Sequence, residues 1–164
     1  MSDGIRNIEK GNTEIIAEMV KDIAGAELFK VETVKEYPYN YRQCTDVALQ
    51  EKNENARPEL KKYLNNIDEY EVIYIGYPNW WGTMPMPIYT FLDEYNLSGK
   101  TIAPFITHGG SGLSGTPNKI KKEEPNAEVT EGLAISGNKW VVCFSFCYKI
   151  KESFSHVLEL DFIK

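Results

Sequence analysis

Apolar positions fall along this chain in two rhythms, one helical and one of short continuous runs. Ile15, Ile16, Met19, Val20 and Ile23 recur at helical spacing, Asn12-Thr13 precede them as a capping pair, and Gly25 stands where a helix stops. This predicts a first helix. Glu27 to Glu32 reads as a short strand, and Tyr37 to Arg42, with one proline and three tyrosines, as an irregular connection. Two polar surface helices are expected next, from about Cys44 to Asn55 and from Pro58 to Leu64, the second opened by a proline at a first-turn position.

Glu71 to Gly76 is a near-continuous apolar run bounded by polar residues, the pattern of a strand buried on both faces of a parallel sheet. Pro87 opens a helix through Ile88, Phe91, Leu92 and Tyr95 that ends before Ser98-Gly99, and Thr101 to Thr107 is the next buried strand. Thr116 to Glu123 reads as a short polar helix and Glu128 to Ile135 as a strand. Alternating helices and strands predict an α/β sandwich around a parallel sheet, with right-handed crossovers, as one domain spanning 1–164.

Candidate chemistry sits in two loops that follow strands. Tyr77-Pro78-Asn79-Trp80-Trp81-Gly82-Thr83-Met84-Pro85 and Thr107-His108-Gly109-Gly110-Ser111-Gly112 would protrude from one rim of the sheet, where open α/β sheets bind ligands. Trp80 and Trp81 offer flat apolar faces, and the glycine loop offers unobstructed backbone N–H groups beside hydroxyls. The combination suits a large planar ring with a polar edge. Met84 and Met86 are expected beneath the loop, and Tyr37, Tyr39 and Tyr41 in a packed connection.

Composition narrows the partners. Of 164 residues, 42% are hydrophobic and 26% charged, ordinary globular usage, and the net charge of −6 repels nucleic-acid phosphates and anionic lipid at long range. Neither an apolar span of membrane length nor a cleavable leader pattern is present, so a cytoplasmic protein is expected. Cys44, Cys143 and Cys147 form no redox or zinc spacing, and His108 and His156 have no ligand set near them. Ser111, Ser114 and His108 are too close in sequence to be assumed a nucleophile and base. Lys119-Ile120-Lys121-Lys122 before Glu123-Glu124 reads as a mixed-charge surface helix.

The segments Lys10-Gly11-Asn12-Thr13-Glu14, Ala56-Arg57-Pro58 through Met86-Pro87, and Pro104 through Gly112 together resemble flavodoxin-like FMN proteins of the short bacterial type. The resemblance covers roughly residues 9–137. It implies FMN as cofactor, with Asn12 and Thr13 at the end of the phosphate loop and Thr13 the phosphate contact. It further implies that Pro78, Asn79, Trp80, Trp81 and Gly82 flank the isoalloxazine ring while Thr107, His108, Gly109, Gly110, Ser111 and Gly112 close its other side.

Both ends depart from that pattern. Met1 to Lys10 offers two isoleucines among polar residues where the family opens with an apolar strand, which is central in a sheet ordered 2-1-3-4-5. The first strand is therefore expected to be missing, a loss on the order of 10 kcal/mol of apolar burial against a typical stability of about 5–15 kcal/mol. A marginal fold, or one rescued by a partner strand or a second copy docking on the exposed sheet, would follow. Beyond Gly137, Val141 to Tyr148 is β-like where the family has a helix, and Gly137-Asn138 could turn a hairpin.

Three functions are compatible with this reading: an FMN electron carrier serving a redox partner protein or small acceptor, an FMN-dependent NAD(P)H:quinone-type reductase, and a relic that keeps the fold without the cofactor. The acidic surface suits a carrier with basic partners.

Overall fold

The structure, a computed structural model, describes residues 10–136 and the strand 157–162, the latter as backbone. Its elements in chain order are α1 (Asn12–Ala24), β1 (Glu27–Val31), α2 (Tyr41–Glu54), a short 3-10 turn (Ile67–Glu69), β2 (Val72–Pro78), α3 (Met86–Glu94), β3 (Thr101–His108), α4 (Thr116–Glu123), β4 (Glu128–Val129), β5 (Leu133–Ser136) and β6 (Val157–Phe162).

The sheet is parallel throughout, in the order β1-β6-β2-β3, with β4 and β5 both on the outer side of β3. The place between β1 and β2, which the sequence leaves vacant, is filled. β6 pairs with β1 from Glu27↔Leu158 to Val31↔Phe162 and with β2 from Val72↔Val157 to Gly76↔Asp161. The chain thus supplies its own central strand from its C-terminal part, and the slot expected to draw in a partner strand is closed by residues 157–162. The hairpin expected at Gly137-Asn138 and the β-like run 141–148 lie outside the described residues.

Alternation along β2 divides the core into two layers. Val72 and Tyr74 pack with Ala103, Phe105 and Ile135 against Ile16, Ala17, Val20 and Ala24 of α1. Ile73, Ile75 and Tyr77 face the opposite way, onto Ile88, Phe91 and Leu92 of α3 and Ile120 of α4. This is the expected three-layer sandwich. Gly76 is dictated by packing, since a Cβ there would lie 2.1 Å from the ring of Phe105, its register partner on β3.

Local chemistry explains where elements depart from expectation. α1 starts one residue earlier than a cap at Asn12 would place it: Asn12 is already the first helical residue, Gly11 is the N-cap, no side chain caps it, and Gly25 closes the helix at φ 67°. Asn40 caps α2 by accepting from the Gln43 N–H at 3.2 Å, which starts the helix at Tyr41 rather than Cys44. The helix expected at 58–64 does not form. Val34 N–H donates to Glu59 O at 2.9 Å and Lys61 N–H to Glu32 O at 2.8 Å, bridging Thr33 to Leu60, and burial of Leu60 in the core outweighs the proline signal.

The strand expected over 128–135 is broken in two. Thr101 pairs with Glu128, an offset of 27 residues, whereas Phe105 pairs with Leu133, an offset of 28, so one extra residue is accommodated between β4 and β5. Opposite the break lies Pro104, which has no N–H to offer the ladder, and Gly132 passes over its ring at φ 81°.

Because β6 is paired on both sides, Leu160→Pro, which removes a backbone donor from the middle of that strand, is expected to destabilise the fold by at least about 3 kcal/mol. Urea denaturation followed by circular dichroism measures this; an unchanged midpoint would show that β6 is not part of the cooperative unit.

Candidate functional site

Three segments meet at the carboxyl rim of the sheet: the start of α1, the loop after β2 and the loop after β3. Thr107, near the end of β3, joins all three. Its hydroxyl lies 2.7 Å from that of Thr13, and its carbonyl accepts the Asn79 N–H at 2.9 Å. Both threonines are buried, at 4% and 9% exposure. In such a hydroxyl pair one oxygen donates to the other, which leaves one proton free for a third group.

Asn79 ties the two loops together. Its Nδ2 donates to Ser114 Oγ at 2.6 Å, while its Oδ1 accepts the Gly82 N–H at 3.0 Å. The second bond braces a two-residue turn in which Trp80 and Thr83 exchange both backbone hydrogen bonds at 3.0 Å. Trp81 at φ 53° and Gly82 at φ 74° give that turn its type I′ shape. Gly82 accommodates this freely, whereas a tryptophan in the left-handed region is strained.

The two indoles have different surroundings. Trp80 is half-buried against the α3 side of the core and meets the Tyr37 ring edge-on, with centroids 5.2 Å apart. Tyr37 in turn donates to Glu51 of α2 at 2.7 Å, and burial raises both its hydroxyl and the Glu51 carboxyl above their ordinary ranges. Trp81 is 48% exposed and donates its indole N–H to Thr45 O of α2 at 3.0 Å. Tyr39 and Tyr41 are largely exposed, while Met84 and Met86 lie buried below the turn.

In the glycine loop, Gly110 takes φ 139°, a conformation closed to other residues, and its N–H donates to His108 Nδ1 at 2.9 Å. The imidazole therefore carries its proton on Nε2. Side chains added at Gly109, Gly110 or Gly112 would meet nothing within 4 Å, so this loop borders open space. Ser114 Oγ donates to Ser111 O at 3.2 Å and His108 bonds within its own loop, so neither Ser111 nor Ser114 is hydrogen-bonded to the imidazole among the described residues. Beneath, Tyr77 donates to Thr116 Oγ1 at 2.9 Å, which donates to Leu113 O at 2.7 Å and anchors the loop to β2.

Sequence-predicted Asn12, Thr13, Pro78, Asn79, Trp80, Trp81, Gly82 and Thr107 to Gly112 thus belong to segments joined at one rim. Four charged residues escaped that reading. Glu14, buried in the first turn of α1, pairs with Lys30 of β1 at 2.6 Å. Lys52 of α2 donates to Trp81 O at 2.7 Å, and Lys119 of α4 donates to Gly82 O at 2.9 Å. Only the crossover topology brings these lysines to the turn. Glu124 is buried, not solvated as a surface helix would have it; desolvation raises its carboxyl above the ordinary range, against the Leu97 backbone N–H that favours the charged form.

A sequence profile of the flavodoxin family matches residues 8–141. FMN-dependent NADH:quinone oxidoreductase 2 of Bacillus cereus is 28% identical to this chain over 75 residues, 46% of the chain and 36% of the relative. An enzyme of the same name from Bacillus anthracis aligns equally well. The chain spans about a third of the length of these curated relatives. Among solved structures, a Bacteroides eggerthii protein assigned as a flavoprotein superposes with a TM-score of 0.71 and 29% identity, over 85% of this chain and 90% of that one. A Lactobacillus acidophilus flavoprotein in complex with FMN superposes with a TM-score of 0.66 and 25% identity, over 82% of this chain and 91% of that one.

Trp81→Asn and Trp81→Val both delete the indole and its bond to Thr45, so their difference isolates the backbone. Asparagine tolerates the left-handed region and a β-branched residue does not; the valine variant is expected to be less stable by about 1–2 kcal/mol in chemical denaturation. Equal stabilities would mean that the turn is rebuilt. For Glu124, a raised folded-state value means that its contribution is intact below the ordinary carboxylate range and is lost as pH rises through the folded value. Glu124→Gln is accordingly expected to raise the melting temperature at pH 7 and to leave it unchanged near pH 3.5.

Proposed function

The chain belongs to the flavodoxin family, and from that premise we propose that it binds FMN at the carboxyl rim and transfers electrons through it. The observation that carries this reading is the junction at Thr107, where the start of α1, the Trp80–Thr83 turn and the glycine loop are fastened together. The donor set suits the cofactor. The first turn of α1 has no side-chain cap over its N–H groups, and the Thr13–Thr107 pair retains a hydroxyl proton, so a phosphate finds neutral donors.

Thr13 and the start of α1 hold the phosphate, while Trp80, Trp81 and Gly82 on one side and His108 to Gly112 on the other border the ring. Bound FMN supplies the electron chemistry, and the protein orients it and sets its electrostatic surroundings. Glu14 would repel a phosphate near the α1 start; its ion pair with Lys30 offsets this. The net charge of −6 disfavours added negative charge on the ring and steers the protein toward basic surfaces.

A second reading, an FMN-dependent reductase passing hydride from NADH to a quinone, is favoured by the similarity to the Bacillus oxidoreductases. The cytoplasm is the compartment proposed for either activity, and no helix among the described residues is long and apolar enough to cross a membrane.

Titrating the full-length protein with FMN and with riboflavin, followed by quenching of flavin fluorescence, tests the site. FMN is expected to bind at least tenfold more tightly, and Thr13→Val to shrink that advantage while leaving riboflavin binding within twofold. No quenching by FMN would leave the relic as the surviving interpretation. Steady NADH oxidation on adding a quinone would then distinguish reductase from carrier.

A further inference from the structure

The Trp81-Gly82 turn is gripped from two directions by cations. Lys52 Nζ lies 2.7 Å from Trp81 O and Lys119 Nζ 2.9 Å from Gly82 O, so ammonium groups from α2 and α4 are fixed on consecutive carbonyls of one exposed turn. An ordinary surface lysine loses rotamer freedom when it binds an anion; these have been ordered in advance. Each ammonium uses one of its three donors on the carbonyl and keeps two.

Among the described residues, neither lysine forms an ion pair with a carboxylate. Of the acids on or beside the same helices, Glu51 accepts from Tyr37, Glu54 from Gln50 and Glu124 is buried, while Glu123, one turn on from Lys119, forms no ion pair with it. The ammonium of Lys119 is held below its ordinary value, first by desolvation and then by the charge of Lys52. Two ammonium groups held on consecutive carbonyls repel one another, and a doubly anionic group placed between them would relieve that repulsion. Beside them the Trp81 indole is 48% exposed, a face on which an aromatic ring can stack.

We propose that Lys52, Lys119 and Trp81 form a diphosphate-binding site on the outer side of the turn, suited to the pyrophosphate of a pyridine dinucleotide with an aromatic base on the indole. Two point-charge ammonium groups match two linked phosphates, and the aromatic neighbour favours a nucleotide over a bare anion. The proposal rests on the flavin reading above, in that it places a hydride donor's anchor next to the ring loop and so favours the reductase over the carrier.

Calorimetric titration of the full-length protein, with FMN in excess, using inorganic pyrophosphate, ADP and NADH as separate probes, tests it. All three are expected to bind saturably. Lys52→Gln/Lys119→Gln should weaken each at least tenfold, whereas Lys121→Gln/Lys122→Gln, which removes the same charge from elsewhere on and beside α4's last turn, should change each less than twofold. Trp81→Leu should weaken ADP and NADH more than pyrophosphate. Equal losses in the two double variants, or no saturable binding to the unsubstituted protein, would overturn the proposal. FMN uptake in the same samples keeps the two readings apart: pyrophosphate binding without flavin uptake sinks only the flavin assignment, and flavin uptake without pyrophosphate binding sinks only the diphosphate site.

Discussion

A parallel sheet cannot leave its middle open, because every backbone N–H and C=O along the gap would be buried without a partner. Here β6 meets that demand for β1 and β2 together. With β6 in place the ladder runs without a gap from β1 across β6 and β2 to β3, the two last strands carrying the loops of the candidate site. The contacts that close it are remote in sequence, Glu27 pairing with Leu158 and Ile73 with the same residue. Such pairing forms slowly, so the two halves of the sheet must stay competent to join until residues 157–162 arrive.

Much of this was legible in the residues, and the failures have identifiable causes. β2, β3 and α3 were readable because an apolar run or a proline-started apolar turn leaves few alternatives. β6 was not: Glu159 and Asp161 interrupt its apolar positions, and nothing local announces partners more than eighty residues away. Pro58 suggested a helix start, but Leu60 is held by the backbone beyond β1, and Pro104 broke its neighbour's strand rather than its own. In each case a contact distant in sequence overrode a local signal.

The site shows the same division. Thr13, Asn79, Gly82 and Thr107 to Gly112 stood out because glycines, hydroxyls and amides after strands have a restricted vocabulary of uses. Lys52, Lys119 and Lys30 carried no such mark, since lysines on polar helices and strands are common everywhere. What singles them out is an acceptor on another element: the carbonyls of a strained turn, or a buried glutamate. Asn79 was noticed as a loop residue, yet its place is that of a brace, with both ends of its amide engaged across two loops.

The break between β4 and β5 bears on how copies of this molecule behave in a crowded solution. A straight outer strand is a template on which another chain can zip, and the change of offset from 27 to 28 residues along this border spoils that template halfway. An incoming strand in step with Glu128–Val129 would be out of step with Leu133–Ser136, its side chains turned to the wrong surface. Among the described residues, the missing donor of Pro104 and the positive φ of Gly132 thus interrupt the border along which edge-to-edge pairing would have to run.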